Sequence, residues 1–199
     1  MTWNEIEPVY APLIKDVEIA PMNIPEKDLD CLYNNLSVIS RAIGGVQNSK
    51  EAKRMFFIGA ILFYLVEMLD KLDDQAPRIN ILIEESVIGQ SINVGGRFEF
   101  VIKRGVKMIC IVEAKKEDMD QGMAQDLLGC EAVADSESAH CVYGIVTNYL
   151  EWIFMRSLDD RIERDNATLS IKDHHSIPTK EGLQLILGKI CTLLFDPGT

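Results

Sequence analysis

Four stretches of the chain carry apolar residues at helical spacing and predict helices: Glu26–Ile43, Lys50–Leu72, Asp118–Ala134 and Thr179–Leu194. In the first, Leu29, Leu32 and Leu36 fall on one face, and Gly44 and Gly45 follow as a stop signal. The second is apolar almost all round between residues 55 and 69, which is typical of a helix buried on more than one side.

Shorter apolar stretches predict strands at Ile79–Ile83, Arg97–Lys103, Met108–Lys116, Cys141–Thr147 and Glu151–Arg156, with a last short strand at Thr168–Ile171. The link at residues 104–107 is short and contains Gly105, so the second and third of these strands are predicted to form a hairpin. The run that begins at Met108 is continuously apolar, which is typical of a strand buried on both faces.

Two further stretches are polar or rich in proline. Met1–Pro25 contains four prolines and predicts an irregular arm that packs over the domain or, alternatively, binds a partner. Asp159–Asn166 is charged and is predicted to be exposed. The resulting order of elements predicts an α/β fold with a mixed central sheet flanked by helices.

Composition places the chain among soluble globular domains. It has 199 residues, of which 47% are hydrophobic, enough for one domain with a sizeable core. The N-terminal residues lack the pattern of a signal peptide, and the most apolar stretch, Met55–Val66, is too short to span a bilayer, so no membrane partner is expected. Five cysteines without zinc spacing predict an intracellular protein, cytoplasmic or nuclear, and adjacent His174 and His175 predict a plain loop rather than a metal site.

The net charge of −11 argues against a protein that grips many phosphates. A local basic patch could offset this average. Its candidates are the hairpin-turn residues and the end of the following strand: Lys103, Arg104, Lys107, Lys115 and Lys116. The alternative is a solvated turn.

The candidate catalytic residues lie where the apolar run that begins at Met108 gives way to charged residues. Glu113 and Lys115 are two residues apart on a predicted strand, so their side chains point to the same face. The hairpin brings Glu99 of the neighbouring strand toward Glu113. Two carboxylates can hold a hard divalent cation through oxygen, and a lysine beside them can stabilise developing charge or orient a water molecule.

These residues give the chain a resemblance to the PD-(D/E)XK nuclease superfamily, with Glu113-Ala114-Lys115 as the (D/E)XK element. Glu99 stands at the acidic position of the preceding strand, where the family usually has Asp. The pair of stretches Val142–Thr147 and Glu151–Phe154 resembles the strands that follow the core helix in eukaryotic members, some of which belong to Crinkler-type effectors. The resemblance implies a restriction-endonuclease-like fold. It covers roughly Ser49 to the C-terminus, and so implies a division into an N-terminal arm and helix (residues 1–48) and a PD-(D/E)XK-like core (residues 49–199).

The resemblance also implies roles for individual residues. Glu99 and Glu113 would bind Mg²⁺ or Mn²⁺, and Lys115 would position or activate water. Gln125 would lie near the lysine, although Gln125 and Gln121, one helical turn apart, also fit two solvated amides. Glu51 would add an acidic residue to the metal site, with Glu67 as a weaker candidate for the same role. The alternative for Glu51 is a carboxylate that stabilises the first turn of its helix.

Three functions follow from this pattern. The first is a metal-dependent nuclease that hydrolyses phosphodiester bonds of nucleic acid. The second is a catalytically inactive module of the same fold that binds protein or nucleic acid partners, which the glutamate at residue 99 and the acidic net charge favour. The third is an ordinary α/β domain in which Glu113 and Lys115 form a solvated strand end. The sequence leaves open DNA against RNA, internal against terminal cleavage, and the oligomeric state.

Overall fold

A computed structural model of the chain describes residues 2–47, 49–72, 75–92, 94–115, 118–172 and 177–195. The helices are α1 (Trp3–Tyr10), α2 (Glu26–Ile43), α3 (Glu51–Leu72), α4 (Met119–Glu137) and α5 (Lys180–Leu194). The strands are β1 (Ile14–Asp16), β2 (Ile79–Ile88), β3 (Gly95–Arg104), β4 (Lys107–Ala114), β5 (Cys141–Thr147), β6 (Glu151–Leu158) and β7 (Ile162–Thr168). His174, His175 and Lys116 lie outside the described residues.

All seven strands form a single mixed sheet in the order β1-β7-β6-β5-β4-β3-β2. The pairs β4–β5 and β1–β7 are parallel, and the remaining pairs are antiparallel. Helix α4 connects the parallel strands β4 and β5, as a crossover connection requires. The predicted α/β class with a mixed sheet is therefore confirmed, while the finer restriction-endonuclease-like fold and the division at residue 48 stay predictions.

Helices cover both faces of the sheet. Helices α2, α3 and α5 pack on one face, where Phe100 and Val112 point into the largest hydrophobic cluster. Helix α4 packs on the other face against Val101 and Ile111, and α1 packs beside it. Because successive residues of a strand point to opposite faces, β3 and β4 are buried on both sides along their central residues. This explains the continuous apolar run at the start of β4.

The predicted helices are confirmed closely. Helix α2 has the predicted bounds, and α3 begins one residue later than predicted. Asp118 caps α4 by accepting a hydrogen bond from the backbone nitrogen of Gln121 (2.8 Å). Thr179 caps α5 by accepting one from the backbone nitrogen of Gly182 (2.9 Å). No helix in the described residues has both the length and the apolar character needed to cross a membrane.

The prediction of irregular backbone for the N-terminal arm is wrong for residues 3–16. Pro8 lies inside α1, where it cannot donate the usual helical hydrogen bond. Burial of Ile6 and Tyr10 against α4 supports the short helix in spite of this loss. Strand β1 then pairs with β7, and only residues 17–25 run without regular structure over the domain.

The prediction that Asp159–Asn166 is exposed is wrong for residues 161–165, which are buried or half-buried because β7 occupies residues 162–168. Its charged side chains find partners on the neighbouring strands. Glu163 pairs with Arg156 of β6, and Arg164 pairs with Asp16 of β1. The predicted last strand at Thr168–Ile171 reduces to the end of β7 and a single bridge between Ile171 and Pro178.

Strand β2 extends well beyond the predicted end at residue 83. It continues to Ile88 through Glu84, which has a positive φ of 53°. The ladder with β3 skips this residue, since it pairs Ile83 with Phe100 and then Glu85 with Phe98. Because of this irregularity, Glu99 of β3 has no paired residue on β2.

Candidate active site

The candidate site lies where strands β3 and β4 separate. Their ladder ends at the pair Phe100–Val112, and one further step of the same register sets Glu99 opposite Glu113. At this point the backbone nitrogen of Ala114 donates instead to the side chain of Glu99, with 3.4 Å between nitrogen and Oε2. The Glu99 carboxylate thus accepts the hydrogen bond that a backbone carbonyl of β3 would accept in a continued ladder. Beyond this point β3 and β4 are no longer paired.

The three residues predicted to carry the chemistry meet here. The Nζ of Lys115 lies 2.9 Å from Oε2 of Glu113 and 3.7 Å from Oε1 of Glu99. The side chain of Glu113 is only 1% exposed, whereas those of Glu99 and Lys115 are 20% and 15% exposed. Glu113 therefore forms the floor of the site, and the other two side chains reach solvent above it. The contact between the Lys115 ammonium group and the Glu113 carboxyl group covers this floor.

Burial makes Glu113 an unusual carboxyl group. Loss of hydration raises its pKa to about 9, and the hydrogen bond and negative charge of Glu99 act in the same direction against the opposing effect of Lys115. Its Oε1 atom is buried and receives no hydrogen bond from the described residues. A buried oxygen without a donor is the feature that a bound cation or a retained proton would satisfy.

Lys115 is held in its charged form. Burial is the largest influence and lowers the pKa of its ammonium group, but the hydrogen bond to Glu113 and the charges of Glu113, Glu99 and Glu51 outweigh it, so the pKa is raised. A lysine with a raised pKa is a poor proton acceptor at neutral pH. Positioning of water and stabilisation of charge therefore fit this environment better than activation of water by proton abstraction.

Helix α4 packs tightly against the lysine at Gly122, a residue that sequence reasoning missed. A Cβ atom at this position would lie 2.6 Å from Cγ1 of Val146 and 2.8 Å from Cγ of Lys115. Both distances are too short for real atoms, so only glycine permits this approach. The close packing fixes the aliphatic part of Lys115 above Glu113.

Gln125 lies on the same side of α4, three residues after Gly122. Its Oε1 atom is buried and has no hydrogen-bond partner among the described residues, while the side chain as a whole is half-buried, so its predicted place beside the lysine stays a prediction. Glu51 is exposed in the first turn of α3, close enough for its charge to act on Lys115, but it forms no ion pair with Lys115 in the described part of the chain. Glu67 pairs instead with Lys71 on the outer face of α3.

Asp126 is a second residue that sequence reasoning missed. It is 0% exposed, and its Oδ1 atom has no hydrogen-bond partner among the described residues. Burial raises its pKa well above the usual range, opposed by hydrogen bonds from the Cys130 thiol and the Ile145 backbone and reinforced by the charge of Glu99. The sequence does contain a signal for Asp126. It is a charged residue among the small and apolar residues that form the sheet-facing side of α4.

The predicted basic patch is not continuous. Lys103, Arg104 and Lys107 lie at the β3–β4 turn, whereas Lys115 lies at the other end of β4. The eight residues of β4 separate the two ends by roughly 25 Å. Arg104 also donates a hydrogen bond to the carbonyl of Leu194, so part of its function is structural.

The residues present fit a weakly held divalent cation better than a fully enclosed one. No cluster of three or more histidine, cysteine, aspartate or glutamate residues in the described ranges is arranged to hold a metal ion. Mg²⁺ often uses only one or two carboxylates and keeps several waters. Glu99 at the mouth and the unpaired Oε1 of Glu113 supply such a pair, provided that Glu113 releases its proton.

Comparison with known proteins identifies a relative of effector type. The chain is similar to Crinkler effector protein 5 of Phytophthora infestans, with 42% identity over 171 residues. The aligned region covers 86% of this chain and 47% of the relative, so the chain spans about half the length of the curated relative it matches. An identity of this level over such a length indicates common ancestry. No family model matches the chain. No solved structure matches it significantly.

Proposed function

We propose that this chain is a metal-dependent nuclease domain that hydrolyses phosphodiester bonds of nucleic acid. The observation that carries the proposal is the convergence of Glu99, Glu113 and Lys115 at the end of separated strands. The sequence resemblance to PD-(D/E)XK nucleases assigns chemistry to the same three residues. Mg²⁺ or Mn²⁺ is the cofactor that two carboxylate oxygens and a water-accessible mouth would accept.

In this proposal each residue has a distinct task. A bound Mg²⁺ would polarise a phosphoryl oxygen and lower the pKa of a coordinated water molecule. Glu99 and Glu113 hold the cation, and Glu113 must first lose the proton that burial favours. Lys115, charged and fixed by Gly122, stabilises the negative charge that develops on the phosphoryl group. Gln125, on the same side of α4 as Gly122, would orient a water or substrate oxygen.

The charge distribution limits how such an enzyme holds its substrate. The net charge is −11, and the cationic side chains at the β3–β4 turn are remote from the site. Few phosphates are therefore neutralised by the protein, and we expect binding to nucleic acid with a shallow salt dependence.

The relative is named an effector, and we propose that this chain likewise acts as an effector domain inside a cell, in the cytoplasm or nucleus.

A second candidate function is a catalytically inactive module of the same architecture. The observation that favours it is the direct pairing of buried Glu113 with Lys115, which occupies the two groups that catalysis would need. Residue 99 is also Glu rather than the Asp usual in the resembling family. Such a module would bind a protein or nucleic acid partner without cleaving it.

Metal binding separates these two candidates. Isothermal titration with Mg²⁺ and Mn²⁺ is expected to show binding by the parent chain at millimolar metal and none by Glu113→Ala. Glu67→Ala, which removes a carboxylate paired with Lys71 outside the site, is the matched control and should bind as the parent does. Absence of binding to parent and variant alike would favour the inactive module.

Cleavage assays with DNA and RNA, single- and double-stranded, complete the test. The nuclease proposal expects product with Mg²⁺ or Mn²⁺ and none with a chelator. Lys115→Met is expected to lower kcat by about 10²–10³, the usual effect of removing one group that stabilises developing charge. Metal binding without cleavage of any of these substrates would contradict the catalytic proposal.

A further inference from the structure

Two phenylalanines of α3 expose half or more of their surface, although the ring of Phe63 also packs edge-on against Phe100 of β3, with 6.4 Å between the ring centroids. Phe56 and Phe63 are 66% and 50% exposed and lie seven residues apart, so they share one helix face. Beside them, Ile39 and Ile43 of α2 line two adjoining shallow depressions of about 330 and 410 Å³, with Phe56 common to both. We call these four residues the α2–α3 surface. Large apolar side chains grouped in this way are characteristic of interaction sites.

The two ends of the α2–α3 surface carry opposite charges. Lys50 and Lys53 line the depression at the N-terminal end of α3, and Glu67 lines the depression toward its C-terminal end. Glu67 also pairs with Lys71 of its own helix, but through Oε1 (2.7 Å), so Oε2 is the oxygen that would face a second cation. The carbonyl of Gly45 accepts a hydrogen bond from Nζ of Lys53 (2.9 Å), which holds that ammonium group at its end of the surface. The helix dipole has the same polarity, positive at the N-terminus and negative at the C-terminus. The surface is therefore basic, then apolar, then acidic along α3.

This pattern is complementary to itself when two copies of α3 run antiparallel. A two-fold axis near Ala60, a small residue in the wall of one depression, lies midway between Phe56 and Phe63. Rotation about that axis sets Phe56 of one copy against Phe63 of the other. It also sets Lys53 of each copy against Glu67 of the other and makes the two helix dipoles antiparallel.

We propose that the chain forms a two-fold symmetric homodimer through the α2–α3 surface. A symmetric interface uses the same patch on both subunits, and a surface that complements itself after rotation is what this symmetry requires. A second copy supplies the complementary order of acidic, apolar and basic side chains without any further requirement, and we therefore commit to a second copy as the occupant. The candidate active site lies at the α4 face of the sheet, so the proposal does not depend on the proposed function.

Sedimentation equilibrium over about 1–100 μM protein measures the association directly. We expect the parent chain to have twice its monomer mass of 22.4 kDa, and Phe63→Glu to have the monomer mass. Val106→Glu places the same charge at a residue that is 84% exposed in the β3–β4 turn, and this matched control should dimerise as the parent does. Circular dichroism of each variant establishes that it is folded.

Charge exchange tests the antiparallel arrangement and does not rely on an apolar-to-charged change. At low salt, Lys53→Glu alone and Glu67→Lys alone are each expected to raise the dimer dissociation constant at least tenfold. The double variant restores opposite charges across the two-fold axis and is expected to return to within a few-fold of the parent value. A parent chain that is monomeric throughout, a dimer that persists in Phe63→Glu, or a double variant as weak as the single ones would overturn the proposal.

Discussion

Glu113 is the residue whose environment departs most from what its chemistry favours. A carboxyl group with a side chain only 1% exposed costs free energy when ionised, and a second carboxyl group beside it adds to that cost. The ammonium of Lys115 offsets part of it at 2.9 Å. Burial of such a group is hard to explain by stability alone, and perturbed groups of this kind concentrate at functional sites.

The raised pKa of Glu113 gives stability a definite dependence on pH. The pKa is about 9 in the folded chain and 4.5 in an unperturbed glutamate, so between these values the folded state retains a proton that the unfolded state has released. The free energy of unfolding should therefore fall as pH rises from about 5 to 9, by at most about 1.4 kcal/mol per pH unit from this group. Glu113→Gln, which is neutral throughout, should remove this dependence and become the more stable protein at the alkaline end.

Urea denaturation at pH 5, 7 and 8.5 measures this difference. Glu7→Gln, at an exposed position of α1, is the control and should follow the parent curve. If Glu113→Gln shows the same slope as the parent, Glu113 is ionised in the folded chain at neutral pH. In that case the Lys115 ion pair, and not the proton, dominates its environment.

At the scale of elements, sequence periodicity is informative where one face of an element meets the core. Helix α2 has the predicted bounds because Leu29, Leu32 and Leu36 all point into one hydrophobic cluster. The start of β4 was predictable for a related reason, since both of its faces are covered. The same logic brought Glu99, Glu113 and Lys115 together correctly, because strand alternation and a short hairpin fix their relative positions.

Periodicity fails where contacts made far along the chain decide the structure. Strand β7 has the sequence of an exposed loop, and its charges are accommodated only because β1 and β6 supply partners on either side. Helix α1 contains a proline and depends on packing against α4, more than 100 residues away. Asp126 and Gly122 of α4 were missed because their importance comes from Gly144, Val146 and Lys115, which pack against them.

Gly122 allows helix α4 to pack closely against Val146 of the sheet and Lys115 of the candidate site. Gly122→Ala should favour the isolated helix by about 1 kcal/mol, since glycine is a poor helix former. The added methyl group would meet Val146 and Lys115 at less than 3 Å, and overpacking of this kind costs about 1–3 kcal/mol. We therefore expect a net loss of stability of about 1 kcal/mol, together with weaker metal binding because Lys115 is displaced.

Chemical denaturation and metal titration of Gly122→Ala are the two measurements. Asp120→Ala, at an exposed position in the same turn, is the matched control and should leave both nearly unchanged. A more stable Gly122→Ala variant with unaltered metal binding would show that α4 does not pack tightly on the lysine. Loss of stability with unaltered metal binding would limit Gly122 to a structural role.

At the scale of the whole molecule, the sheet separates two surfaces with different properties. The candidate active site opens on the side of α4, whereas the α2–α3 surface lies on the opposite side of the sheet. The two surfaces are not independent at the first turn of α3, where the charge of Glu51 acts on Lys115 and the neighbouring Lys50 and Lys53 line the α2–α3 surface. Substitution of Phe63, about three helical turns further along α3, should leave the candidate site intact. A homodimer formed through α3 would carry two candidate sites, both facing away from the interface.

The N-terminal residues are held to the domain by a buried ion pair. Asp165 of β7 pairs with Lys189 of α5, and its Oδ2 also accepts a hydrogen bond from the backbone nitrogen of Ile19 (2.9 Å). Both charged residues are buried, at 9% and 5% exposure. One carboxylate thus connects the sheet, the last helix and the segment that follows β1, three parts that lie far apart along the chain.

Removal of this carboxylate should destabilise the whole molecule. Asp165→Ala leaves Lys189 buried without its ion-pair partner, and the breaking of a buried pair in this way costs about 3–5 kcal/mol. Asp16→Ala is the matched control, because Asp16 pairs with Arg164 at the surface and should change stability little. The double variant Asp165→Asn/Lys189→Met removes both charges and should recover much of the loss, as measured by thermal and chemical unfolding. Equal effects of Asp165→Ala and Asp16→Ala would show that the pair is not buried in solution and contributes little to holding residues 17–25 on the domain.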